Sequence, residues 1–292
     1  MASSDVTEYE DGSEPPRLGE PSPSVWTELG LTREAEVHGG HQSKVFLATG
    51  QAGPLIVKLA RASPAADVLR QRVEIIRQLA DINRAVVGPL ELRSNLVTDV
   101  GQWRVVCYPY VEGTSPDTDD RCDAEAMAET LAMLHDSLAT LTEAKLPLVA
   151  ALRGEPDDGL RHGQVIHGDY AAANLIVTRS GLKVIDFDDC GHGSVEFEIG
   201  NSLYMVLFDA WYSGTPYRYE RFRSWFVDAY RNTASFHIEE ALLDEAIGVR
   251  ARALARWLAK PTEAPEGIRT SSPEWRQRLR SFVDDMPWAE RG

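Results

Sequence analysis

Asp169, Asn174 and Asp186 stand five and twelve residues apart, in the stretches HGDYAAANLIV and VIDFDDC. Apolar, strand-forming residues bracket the first stretch: Val165 and Ile166 before it, Leu175, Ile176 and Val177 after it. Between Asp169 and Asn174 come only Tyr170 and three alanines, where a surface loop is usually richer in Ser, Gly, Pro and charge. The pattern reads as a loop held by a core and presenting polar groups at a fixed separation. A strand, turn and strand between Asn174 and Asp186 would return Asp186 beside Asn174. A carboxylate and an amide oxygen so placed suit a hard divalent cation such as Mg²⁺, which takes its remaining ligands from phosphates and water. Asp169, not needed for the metal, is free to act on a substrate proton. Singly, each residue could cap a turn or end a strand. Together, with Lys58 and Gly39-Gly40 upstream, they make a chemical set.

Elements to position this set can be read on both sides of it. EAEVHGGHQSKVFLATG reads as strand, turn and strand, with Gly39-Gly40 in the turn, and PLIVKLA as an apolar strand interrupted by Lys58. DVLRQRVEIIRQLADIN carries Val68, Leu69, Val73, Ile76, Leu79 and Ala80 on one helical face. Short strands are expected around 86–91, 96–100 and 103–110. From Asp123 to Leu141 the apolar spacing is helical, and beyond Ser194 helices are expected near 194–211, 216–232, 238–260 and 273–284. The fold class is therefore α+β: a small mixed lobe over residues 25–110 and a larger, mostly helical lobe over 111–292. Residues 1–24, with six acids and one base among Pro, Ser and Gly, read as a tail. A cleft between lobes is a favoured ligand site.

Bulk properties narrow the partners. The 292-residue chain has a formal net charge of −15, which opposes nucleic acid or an anionic membrane and is compatible with a cationic ligand. It contains no run of eighteen apolar residues and no secretory signal. Cys107, Cys122 and Cys190 are few and far apart, which argues against disulfides or zinc and suggests a cytoplasmic protein. A monomer or weak dimer is expected.

HGDYAAAN followed by IDFDD resembles the aminoglycoside phosphotransferase and choline kinase-like family of small-molecule kinases, relatives of the protein kinases. The likeness covers about residues 34 to 210. It implies a bilobal protein kinase-like fold, ATP and Mg²⁺. His-Gly-Asp stands where protein kinases have His-Arg-Asp, and the short span between Asp186 and Ser194 leaves no room for an activation segment. Carried over, Asp169 orients the acceptor hydroxyl and takes its proton, and Asn174 and Asp186 hold the metal. Lys58 corresponds to the lysine on the α- and β-phosphates, and Glu74, flanked by Val73 and Ile75, to its ion-pair partner. HGGHQSKVF replaces the phosphate-covering loop with only Gly39 and Gly40, and Ser43 can donate to a phosphate. CYPYVEG falls at the adenine-binding hinge, with the Pro109 carbonyl and the Val111 amide as adenine partners. His167 is expected to fix the loop through backbone near Asp186, His135 to pack at a helix end, and Glu196 and Glu198 to favour a helix N-terminus.

The acceptor stays open: a cationic antibiotic, or a metabolite such as an amino alcohol, amino acid or sugar. A nucleotide-binding scaffold is the remaining alternative. Asp157, Asp158, Asp209, Glu263 and Glu266 are acidic candidates for contact with a cation; Arg250, Arg252 and Arg256 would instead meet an anion. Asp188 and Asp189, in place of the glycine of the protein-kinase DFG, face either the metal or the substrate.

Overall fold

The computed structural model describes residues 19–37, 43–61, 66–141, 145–153, 159–235, 237–260 and 272–285. Its N-terminal part is a five-stranded antiparallel sheet in the order β1-β2-β3-β5-β4: β1 Thr32–Val37, β2 Ser43–Gly50, β3 Gly53–Arg61, β4 Thr98–Val100 and β5 Trp103–Pro109. Along β3 the burial alternates with period two. Leu55, Val57 and Leu59 enter a core with Phe46 and Trp103, while Ile56, Lys58 and Ala60 lie on the other face. Helix α2, Ala66–Ile82, follows β3, and its Ile75, Ile76 and Leu79 join the core of the second part.

That core is mostly helical. Helix α3, Arg121–Ala139, starts where the Asp120 side chain accepts the Asp123 amide and buries Met127, Leu131, Leu134 and Leu138. Helices α4 Val195–Tyr212, α5 Pro216–Thr233, α6 Glu240–Ala259 and α7 Pro273–Asp285 complete it. Two hairpin-like ladders sit between α3 and α4: β6 Gln164–Ile166 with β9 Gly191–Gly193, and β7 Leu175–Thr178 with β8 Gly181–Val184. The second returns the chain from Asn174 to Asp186, as the sequence required. Among the described residues no helix is long and apolar enough to cross a membrane.

Two expectations change. Helix α1, Pro23–Leu29, begins inside the stretch expected to be tail and buries Val25, Trp26 and Leu29 against the sheet. Its signals are Pro at the first turn and Gly30 in the left-handed conformation at its end, φ 70°. Residues 86–91 form no strand, only single bridges from Val86 to Val184 and from Leu90 to Cys107. Gly88-Pro89 breaks the ladder, since proline has no amide to give.

Candidate active site

The sheet and the helical part meet along a cleft, and β3 delivers Lys58 to it. Lys58 Nζ lies 2.7 Å from Asp186 Oδ1 and 3.1 Å from Asp188 Oδ1. Burial alone would push the lysine down, but Asp188 and Asp186 outweigh it and hold Lys58 above its ordinary value. Burial likewise pushes Asp186 up, and Lys58 more than reverses that, holding the carboxyl below the usual range. Asp186 sits at φ 62°, unusual for a residue with a side chain. Ser43 Oγ donates to Asp188 Oδ2 at 3.4 Å.

Glu74 does not reach Lys58. It pairs with Arg77 at 2.6 Å and accepts from Gln78 at 3.0 Å on the outer side of α2. Flanking apolar residues could not settle its direction, because successive helix positions are turned by about 100°. The face toward the cleft carries Leu69, Arg72 and Ile76, which line a cavity of about 520 Å³ with Lys58 and Asp188. Arg72 Nε donates to the Cys190 carbonyl at 2.9 Å. The lysine partner expected from α2 is thus replaced by Asp186 and Asp188.

The loop bearing Asp169 is suspended from α4. Ser194 caps that helix by accepting the Phe197 amide, and one turn in, fully buried Glu198 accepts the backbone N–H groups of His167 and Gly168. Glu198 Oε2 also lies 3.0 Å from His135 Nε2, while His135 Nδ1 is 2.7 Å from Tyr230 Oη. His167 Nε2 is 2.9 Å from the Ile185 carbonyl, and the Asp169 amide donates to His167 Nδ1 at 3.3 Å. That pattern requires the proton on Nε2 of His167. Tyr170, wholly buried, donates to the Met127 carbonyl at 2.8 Å. Both histidines therefore hold structure, as expected, whereas the reach of Glu198 back to the loop had no sequence signal beyond its place in a first helical turn.

Gly168 is a steric requirement of this loop. Its φ is +88°, and a Cβ there would stand 2.3 Å from the Asp189 carbonyl oxygen. G168A is expected to lower stability by about 1–3 kcal/mol, read by thermal unfolding, and to reduce turnover of what remains folded. An unchanged melting temperature would contradict this reading of the loop.

Asp169 and Asn174 face each other: Asn174 Nδ2 donates to Asp169 Oδ2 at 3.1 Å and to the Asp169 carbonyl at 2.8 Å. The amide is thereby oriented, and its Oδ1 has no hydrogen bond among the described residues. Asn174 and Asp186 line a cavity of about 330 Å³ together with Val45, Ile56, Ile176 and Val111. Pro109 lines it too. The Tyr110 amide donates to the Pro54 carbonyl at 3.4 Å, which makes Leu55 and Pro109 a non-hydrogen-bonded pair and turns the Pro109 carbonyl off the β3 ladder. Gly39 and Gly40 lie outside the described residues. Among those described, no group of three or more His, Cys, Asp or Glu could hold a metal by itself. The oxygen pair of Asn174 and Asp186 fits a hard cation that brings phosphate and water ligands.

From the other side α6 contributes Arg250, whose Nη2 is 3.7 Å from Asp169 Oδ1. Arg252 pairs with Glu245 and Arg256 with the Ala151 carbonyl. Of the acidic candidates, Asp157, Asp158, Glu263 and Glu266 lie outside the described residues, and burial pushes the Asp209 carboxyl up against the opposing charge of Arg218.

Comparison with known proteins gives the family and the fold. The model of the phosphotransferase enzyme family matches residues 34–149 and 138–236, most of the chain. The chain belongs to that family. It is a small-molecule kinase with a bilobal α+β, protein kinase-like fold. Among solved structures it is similar to the amicoumacin kinase hAmiN in complex with AMP-PNP, Ca²⁺ and Ami, 18% identical over 88% of each chain, TM-score 0.66. It is also similar to spectinomycin phosphotransferase APH(9)-Ia in complex with ADP and spectinomycin, 13% identical over 87% of this chain and 89% of that one, TM-score 0.56. Choline kinase from Cryptosporidium parvum Iowa II is 10% identical over 88% of each chain, TM-score 0.51. No curated protein matches.

Proposed function

We propose that this phosphotransferase moves the γ-phosphoryl group of ATP to a hydroxyl of a small molecule, with Asp169 as the proton acceptor. The observation that carries the reading is the division of the cleft. Lys58, Asn174 and Asp186 line the 330 Å³ cavity together with Pro109 and Val111, whereas Asp169 is not among its lining residues and stands 3.7 Å from Arg250 of α6. Adenine would lie between the apolar walls, with the Pro109 carbonyl to accept from its amine and the Val111 amide to donate to a ring nitrogen. Lys58 leaves Asp186 to hold the α- and β-phosphates, and Ser43 adds a hydroxyl. Asn174 and Asp186 would hold Mg²⁺, which when bound would offset charge on the phosphates. The acceptor oxygen attacks the γ-phosphorus as its proton passes to Asp169, and ADP leaves. A scaffold role is disfavoured because Lys58, Asp169, Asn174 and Asp186 are all present.

The amicoumacin kinase and spectinomycin phosphotransferase support an antibiotic acceptor, and the choline kinase a metabolite. ADP release in the presence of candidate acceptors tests the reading. It is expected to stop in excess EDTA, to return with Mg²⁺, and to fall below detection in D186A. Full turnover in EDTA, or in D186A, would remove the proposed metal site.

A further inference from the structure

We infer that the cavity of about 520 Å³ between the sheet and α2 is a second ligand site, that its ligand is a phosphate monoester on an apolar body, and that this ligand weakens nucleotide binding through Lys58. The effect on the nucleotide rests on the phosphotransferase reading of the cleft; the site itself does not.

The two cavities share only Lys58, Tyr108 and Phe187. Asn174, Asp186, Pro109 and Val111 line the smaller one alone, and the side chains of α2 line the larger one alone. A space of this size holds a small organic molecule.

Its charge runs against that of the chain. The protein has 45 acids and 30 Lys and Arg, yet Lys58, Arg61, Arg72, Arg104 and Arg153 line the larger cavity against a single acid, Asp188. Asp188 is paired with Lys58 at 3.1 Å, and Arg104 Nε has Asp99 Oδ1 at 3.4 Å. Three guanidiniums remain, each from a different part of the fold. Arg61 ends β3, Arg72 belongs to α2, and Arg153 closes the segment 145–153. Arg72 and Arg153 each donate through Nε to a backbone carbonyl, of Cys190 at 2.9 Å and of Leu148 at 3.2 Å. None of the three forms an ion pair with a carboxylate among the described residues. Asp189 feels the charge of Arg72 but does not line the cavity. Glu74, two positions beyond Arg72, turns outward to Arg77 and supplies no counter-charge here.

Guanidinium groups match phosphate through paired N–H donors. A phosphate monoester is close to a dianion at neutral pH and offers three strong acceptor oxygens. It can therefore meet three guanidiniums, where a carboxylate brings one charge and two oxygens. Leu69, Val73, Ile76, Val106 and Phe187 make the rest of the wall apolar, and inorganic phosphate would leave them uncovered. Lys58 belongs to both cavities, so a dianion in the larger one competes with nucleotide phosphates for its charge. Such a coupling acts equally in both directions.

The probe is 1-naphthyl phosphate, titrated into the protein by calorimetry beside 1-naphthol, 1-naphthoate and inorganic phosphate, without and with Mg·ADP. One equivalent of naphthyl phosphate should bind, and each of the other three should bind at least about tenfold more weakly. Mg·ADP should raise the Kd of naphthyl phosphate by about five- to tenfold and then have no further effect, and naphthyl phosphate should weaken ADP by the same factor. In R61M/R153M, altered at two exposed positions, naphthyl phosphate should bind at least about tenfold more weakly while ADP alone binds as it does to wild type. A Kd that climbs without limit as ADP is added would place the probe in the nucleotide site and overturn the inference. So would naphthol or naphthoate binding as tightly as the phosphate, inorganic phosphate doing so, or an unchanged affinity in R61M/R153M. Only the last comparison needs a variant. If ADP itself does not bind, the nucleotide reading fails, whereas naphthyl phosphate bound by wild type and lost in R61M/R153M still upholds the second site.

Discussion

Replacing Asp169 with Asn is expected to lower kcat by about 10²–10⁴-fold while the KM for ATP stays within about twofold. Asn preserves the size of the side chain, and Asn174 can still face it. It cannot take a proton from the acceptor hydroxyl. It also removes the charge that Arg250 approaches at 3.7 Å, so the acceptor side of the cleft is disturbed together with the proton transfer. The proposed nucleotide groups, by contrast, are carried by β3, the hinge and the two ends of the β7–β8 hairpin; of these only Asn174 touches the Asp169 carboxylate, and it keeps its bond to the Asp169 carbonyl at 2.8 Å. Steady-state kinetics with both substrates varied separate the two effects. A D169N enzyme within tenfold of wild-type kcat would show that the proton goes elsewhere.

Glu198→Ala is expected to be the most damaging change to the fold, lowering stability by about 3–5 kcal/mol. The Glu198 side chain is fully buried, and three donors converge on it: the His167 amide, the Gly168 amide and His135 Nε2. Alanine would remove the acceptor that these three donors share at a fully buried position. Burial on its own would push the Glu198 carboxyl up; the hydrogen bond from His135 and the nearby histidine positions outweigh it and hold the group below its ordinary 4.5. A carboxyl depressed in the folded state stabilises above its unfolded value and loses that contribution as pH falls through the folded value. Wild-type stability should therefore decline on the acid side below about pH 4.5, and E198Q should flatten that limb. Chemical denaturation across pH measures both. An E198A protein as stable as wild type would mean that the loop is held by other contacts.

How far the sequence could be read differs from residue to residue, for physical reasons. The loop from His167 to Asn174 was legible because apolar strands on both sides fix its ends, and the hairpin to Asp186 follows from the distance in sequence. Helices α3 to α7 were legible because their buried stripes repeat at helical spacing. Glu74 was misread because a charge between two apolar neighbours has no determined direction until the helix is docked. Arg72, two positions earlier, takes the cleft-facing place. Glu198 lies 29 residues beyond Asp169, and its bond to the loop depends on how α4 packs, a tertiary fact with no local signature. The pairing of Asp188 with Lys58 at 3.1 Å has the same origin, since it joins residues 130 positions apart only once the two parts have packed.

The most direct test of the central claim is to follow both products of one reaction, ADP and the acceptor, by mass spectrometry in wild type and D169N. Wild type should release one ADP for each acceptor molecule that gains a phosphoryl ester on its hydroxyl, and D169N should accumulate neither at a comparable rate. ATP consumed with no acceptor phosphorylated, or acceptor phosphorylated equally well by D169N, would contradict the account.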